Sequence, residues 1–259
     1  MFGNIIEKTL VSQLKKIKDS TFIALVAVFA AFNIVCDSFI GPPLPFSGVW
    51  YSWVFISEPI TGIILGPLAG FFSNLIGVMI GHFIYFRDVY EFLFTLGAPI
   101  GAMMSALIFR GKWKIPLIYY AFLLGAFLAT PVTWQLGDVA FWGMWDVFLA
   151  FGCLLIIVVV LTKWKNLWNV KSKANLLYIL ALSTFIGLEA DVLFRIFVFV
   201  PCQTYQLFYG YGVQDLQAIW ALGAVETSIK SALSAAITVM VGLPIISVVR
   251  KMRFSLSED

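Results

Sequence analysis

The sequence predicts an all-α integral membrane protein: a polytopic helical bundle of about eight transmembrane helices with both termini cytoplasmic. Three observations predict it. Of the 259 residues, 61% are hydrophobic and 12% are charged, against about 25% charged in an ordinary soluble domain. The apolar residues fall in runs close to the ~20 residues that a helix needs to cross a bilayer. Lys and Arg cluster between alternate runs, as the positive-inside rule requires of cytoplasmic loops.

In chain order, residues 1–20 form a cytoplasmic or interfacial amphipathic segment. Phe2, Ile5, Ile6, Leu10, Leu14 and Ile17 recur at helical spacing, with Lys8, Lys15, Lys16 and Lys18 elsewhere, a pattern suited to a helix lying on an anionic membrane surface. An ordinary cytoplasmic lead-in explains the same pattern. No short apolar region ends in a small-residue cleavage site, so no removable signal peptide is expected.

The transmembrane domain covers residues 21–249, and residues 250–259 form a cytoplasmic tail. Apolar runs lie at roughly 21–40, 49–65, 67–86, 91–110, 115–135, 141–162, 175–200 and 219–249. Gly66-Pro67 reads as a tight turn between the second and third runs, because Gly and Pro punctuate helices; one kinked or re-entrant segment over 49–86 is the alternative. With the N-terminus inside, every Lys and Arg except Arg87, Arg195 and Lys230 falls on the cytoplasmic side. The stretches 41–48, 136–140 and 201–218 contain neither residue, as external loops should.

Polar residues inside the apolar runs are the functional signal. A charge at bilayer depth costs about 2.5–3.5 kcal/mol on insertion scales, yet Glu189, Asp191 and Arg195 share the run that ends near Val200. Glu226 and Lys230 stand one helical turn apart in the next run, with Glu58 and Asp146 in two others. Together these seven side chains are expected to surround a solute-binding chamber that opens outward, with Trp142 and Trp145 as an apolar or stacking wall. Asp191 with Arg195, and Glu226 with Lys230, are also spaced to form intrahelical ion pairs. Asp37 and His82 are further polar residues toward the outer ends of their runs, and aromatic residues crowd the same side, where an interfacial belt also accounts for them.

Several chemistries are excluded. One histidine rules out HExxH and multi-histidine metal sites, and Cys36, Cys153 and Cys202 are too widely spaced for a zinc set. No P-loop and no Gly-x-Ser-x-Gly occurs. A net charge of +3 gives no reason to expect nucleic acid. The chain is therefore expected to need no metal or cofactor and not to be an enzyme.

The first run contains Ala27-x-x-x-Ala31, the turn reads Ile64-Leu65-Gly66-Pro67-Leu68-Ala69-Gly70, and Ser231-Ala232-Leu233 leads to Leu243-Pro244 and a basic end. In these features the chain resembles the membrane-embedded, substrate-binding S components of energy-coupling factor (ECF) vitamin transporters. The resemblance implies an outward-facing pocket for a vitamin-like micronutrient, and partners in the form of a transmembrane coupling subunit and cytoplasmic ATPases. It also implies that Ala27 and Ala31 dock on that subunit, in a prokaryotic plasma membrane. S components have six spans where eight are counted here, so no ligand contact is carried over. A stand-alone, proton-coupled secondary transporter is the alternative, and an intramembrane lipid-modifying enzyme a further one.

Overall fold

The computed structural model describes residues 19–39, 52–86, 89–164, 168 and 172–255. The amphipathic pattern over residues 1–18 lies outside the described residues. Those described are all-helical, with 11 α-helices and one 3-10 segment. In order they are α1 (Asp19–Ser38), α2 (Val54–Leu65), α3 (Pro67–Ile84), the 3-10 segment (Val89–Phe94), α4 (Gly97–Phe109), α5 (Lys114–Ala129), α6 (Pro131–Leu136), α7 (Asp138–Trp142), α8 (Trp145–Lys163), α9 (Lys173–Phe199), α10 (Thr204–Leu207) and α11 (Val213–Ser255). Five helical stretches, 18 to 34 residues long, are long and apolar enough to cross a membrane: Pro67–Ile84, Glu91–Phe109, Trp145–Lys163, Lys173–Phe199 and Val213–Ile246. The apolar helices Phe22–Ser38, Val54–Leu65 and Lys114–Ala129 are shorter.

Each expected run corresponds to a helix, but three are divided. Residues 91–110 comprise the end of the 3-10 segment, a turn at Thr95 and Leu96, and α4. Residues 115–135 break at Thr130, whose backbone is extended (ψ 128°) before Pro131; proline's ring disfavours helical geometry in the residue before it. Residues 141–162 break at Gly143 and Met144. There the Trp220 indole closes on the Gly143 backbone, leaving no room for a Cβ.

At Gly66 the chain reverses. Its φ of 102° with ψ of 172° belongs to a region that only glycine occupies readily, and Pro67 then starts α3 at a position where a missing N–H costs nothing. Gly62 and Gly70 meet across the turn, with a Cβ on Gly70 only 2.6 Å from Gly62 Cα, so α2 and α3 form a hairpin rather than one kinked helix. Arg110, 1% exposed, secures it by donating to Ile63 O at 3.3 Å and Ala106 O at 3.2 Å. These are carbonyls near the ends of α2 and α4, which a cation suits.

The central pair is α4 and α9, of whose membrane-length windows 67% and 72% are buried. Small residues let them touch: a Cβ on Gly187 would overlap Ser105 Oγ and lie 2.7 Å from Gly101 O. Close backbone approach of this kind replaces the hydrophobic driving force that lipid removes. On one side α5 and α8 pack against α9 around Tyr120, Phe127, Met144, Leu154 and Trp220. Tyr119 and Tyr120 hydroxyls donate to Ala190 O at 2.8 Å and Ile186 O at 2.6 Å, and Phe127 stacks on Trp220 at 5.8 Å. On the other side lie α1, α2 and α3, and α11 bridges the two by packing on α2, α7 and α9. Bulky apolar side chains such as Phe83, Ile118, Phe122 and Ile156 are exposed, the face that lipid would cover.

Candidate functional site

On a helix, residues four apart share a face and residues two apart do not. Asp191 and Arg195 therefore project together from α9, and Glu189 projects elsewhere. Arg195 Nε donates to Asp191 Oδ1 at 2.7 Å, and the Asp191 carboxylate rests on Gly97 of α4. The same rule puts Val54, Phe55 and Glu58 on one face of α2, and Val78 and His82 on one face of α3. These faces, with Asp37 of α1, Glu91 of the 3-10 segment, Ala98 of α4 and Lys230 of α11, line one recess of about 30 Å³. That exceeds the ~10–15 Å³ that one water molecule needs, so the recess has room for a few waters or a small head group. The recess lies toward the C-terminal ends of α1, α3 and α9 and the N-terminal ends of α2 and α4, hence at one end of the bundle.

Two details hold α2 in place. Pro59 inside α2 has no N–H to donate to Phe55 O, the carbonyl four residues back. Ser234 of α11, fully buried, supplies the bond instead, donating to Phe55 O at 2.6 Å. Glu58, next to that proline and 1% exposed, then lies over Gly101, where any Cβ would overlap its Oε1. Among the described residues that oxygen has no hydrogen-bond partner; charged neighbours of Glu58 are Asp191, Arg195 and Lys230.

Beside it, His82 Nδ1 lies 2.7 Å from both Asp37 Oδ2 and Val78 O. The other ring nitrogen, Nε2, lies 3.6 Å from Glu91 Oε1. The ring thus sits between two carboxylates, and Gly81 leaves room for Asp37 to reach it, because a Cβ there would lie 2.5 Å from the Asp37 Cβ. Such a set can bind a small polar group or pass a proton. Among the described residues no group of three or more His, Cys, Asp or Glu is arranged to hold a metal ion.

Of the residues singled out from sequence, the structure brings Glu58, Asp191, Arg195 and Lys230 to the recess. It turns two others to hydroxyls of α11. Asp146 accepts from Thr227 at 2.5 Å and Ser228 at 3.1 Å, and Glu189 accepts from Ser231. Glu226 is buried on α11 but is not among the described lining. Trp142 and Trp145 are 54% and 42% exposed and lie outside it; Trp145 Nε1 donates to Ala224 O at 3.3 Å. Ala27 and Ala31 are exposed on α1. Sequence reasoning noticed Asp37 and His82 without joining them to the site, and missed Glu91. Their signal was present, a lone histidine and two acids near the ends of apolar runs, but which ends meet is a matter of packing.

No protein-family model, curated protein or solved structure matches this chain. The five long apolar helices mark its class, a multi-pass helical membrane protein.

Proposed function

We propose that the protein is a membrane transport protein that captures the polar head of a small, micronutrient-like solute in this recess from the outer side, for uptake with a separate ATP-driven coupling module. The observation that carries this reading is convergence. Seven ionisable side chains, Asp37, Glu58, His82, Glu91, Asp191, Arg195 and Lys230, reach one recess from six segments of an apolar bundle. A purely structural charge needs one partner; ionisable groups gathered inside a membrane domain mark solute or ion sites.

In this reading the eight apolar helices cross or enter the bilayer with both termini cytoplasmic, and the recess faces outward. At about 30 Å³ it admits one ligand group rather than a vitamin-sized molecule, whose pocket would be roughly 300 Å³ or more. The recess therefore reads a head group. Exposed Ala27 and Ala31 on α1 supply a surface where a partner helix can approach closely, as the S-component resemblance implies.

Native mass spectrometry of the purified full chain tests the reading, together with uptake by cells expressing it. A co-purifying small molecule that is lost in Arg195→Met supports it. No bound molecule, and no uptake above cells lacking the chain, would remove it.

A second reading, a stand-alone proton-coupled carrier, draws on His82 standing between Asp37 and Glu91. Uptake into liposomes holding only this chain, driven by a pH gradient, would put it first.

A further inference from the structure

We infer that Glu189 is a proton-binding site, a carboxyl group that holds an exchangeable proton between α9 and α11, beside the recess but separate from it. The inference goes beyond the solute reading, which makes no use of this residue. It stands on the contrast between two buried acids that α11 serves.

Asp146 is built to be charged. It opens α8, where a helix N-terminus favours negative charge. Its carboxylate accepts from Thr227 at 2.5 Å, Ser228 at 3.1 Å and the Val147 N–H at 2.9 Å. Glu189 lies inside α9 and is 0% exposed. Among the described residues its Oε1 contacts Ser231 Oγ, and its Oε2 has no hydrogen-bond partner. A buried carboxylate oxygen without a donor is costly, and the carbonyl oxygen of a neutral acid is less so, because it carries no charge. A proton on Oε1, given to Ser231 Oγ, turns Oε2 into that carbonyl.

The same contact serves both forms of the acid. A hydroxyl donates and accepts, so Ser231 donates to the ionised group and accepts from the neutral one without a change of partner. Around Glu189 stand two acids, Asp146 and Asp191, one base, Lys230, and the Tyr120 phenol. No residue of α4 is ionisable, and Glu58 of α2 faces Asp191, Arg195 and Lys230 instead. The acids disfavour a further negative charge there and Lys230 favours one. Both forms are therefore within reach, as exchange requires.

The ligand is a proton rather than a metal cation. Direct contact between Ser231 and Glu189 leaves no gap for an ion that needs several oxygen ligands around it. The place ties the site to the recess: Glu189 precedes Asp191 by two residues on α9, Ser231 follows Lys230 on α11, and Asp191 and Lys230 line the recess. The two helices that hold the proton thus also carry walls of the recess, and acids so placed inside a membrane domain mark proton paths.

The test is infrared difference spectroscopy on the full chain in lipid, which separates the C=O stretch of a protonated carboxyl from that of a carboxylate. At neutral pH the difference between wild type and Glu189→Gln contains a protonated-carboxyl band. The band shifts in heavy water, fades at alkaline pH and moves in Ser231→Ala. The exposed Asp138→Asn, and exchange of choline for sodium at fixed pH, leave it in place. Identical spectra for wild type and Glu189→Gln overturn the assignment. A band that fails to shift in heavy water or to fade at alkaline pH marks a sealed structural acid and also overturns it, as does a band that sodium removes. If Glu189→Gln does not fold, Ser231→Ala decides, and an unmoved carboxyl band overturns the proton site. None of these outcomes touches the solute site, which stands or falls on the co-purifying molecule and its loss in Arg195→Met.

Discussion

Gly97 of α4 lies against Asp191 of α9 so closely that a Cβ on Gly97 would overlap Asp191 Oδ1 and stand 3.1 Å from Arg195 Nε. The carboxylate of the recess's ion pair is thus seated on bare backbone. The backbone of α4 can approach side chains of α9 this closely only because it carries none of its own at residue 97. The absent methyl group therefore sets both the packing of α4 on α9 and the position of the charges.

Gly97→Ala is expected to destabilise the chain by about 1–3 kcal/mol, the usual cost of overpacking a tight contact, and to weaken ligand binding by displacing Asp191. Gly125→Ala is the comparison, because nothing lies within 4 Å of its would-be Cβ. It gains about 0.5–1 kcal/mol from helix propensity. Thermal melts in detergent check both, and equal melts would show that the Gly97 contact is loose.

A second expectation concerns the carbonyl freed by Pro59. Ser234→Ala leaves Phe55 O without its donor and costs about 1–3 kcal/mol. In a Pro59→Ala background the backbone N–H of residue 59 can take that role, and the same change costs well under 1 kcal/mol. A double-mutant cycle on denaturation reads the difference. Additive effects would mean that Ser234 does not serve this carbonyl.

Arg110 and Gly66 are expected to matter for the α2–α3 hairpin. Arg110→Met removes the donors to Ile63 O and Ala106 O and costs about 2–4 kcal/mol. Lys at the same place recovers part of this, since one ammonium can reach one of the two carbonyls. Gly66→Ala costs about 1–3 kcal/mol, because φ of 102° is a conformation that other residues rarely adopt. Unfolding measured by denaturant or heat checks the order wild type, Lys, Met.

The proposed orientation can be read from a thiol. Cys202 is exposed, while Cys36 and Cys153 are partly buried in helices. In intact cells a membrane-impermeant maleimide is expected to label the protein, and Cys202→Ser to abolish the labelling. Labelling of Cys202 only after the membrane is permeabilised would invert the topology.

How much could be read from one strand of letters differs between fold and site. Helix type and approximate position followed from apolar runs, because a backbone in lipid must satisfy its hydrogen bonds within itself. The hairpin at Gly66-Pro67 was legible for a similar local reason, a glycine-only conformation followed by a residue that starts helices. The divisions at Thr130 and Gly143 were not read. One needed the local effect of Pro131 to outweigh a continuous apolar run, and the other depends on Trp220, far along the chain.

The sequence by itself determined the all-helical character, the approximate positions of the apolar helices, of which five rather than the eight counted are long enough to cross a membrane, and the pairing of Asp191 with Arg195, since four-residue spacing makes those two neighbours on any helix. Only the tertiary structure decided which acids meet. Glu189, two residues from Asp191, turns to Ser231 of α11, Asp146 turns to Thr227 and Ser228, and Asp37 finds His82 across 45 residues of chain. The physical reason is that periodicity assigns a side chain to a face of its own helix. What that face looks upon is set by glycines and serines that let particular helices close together.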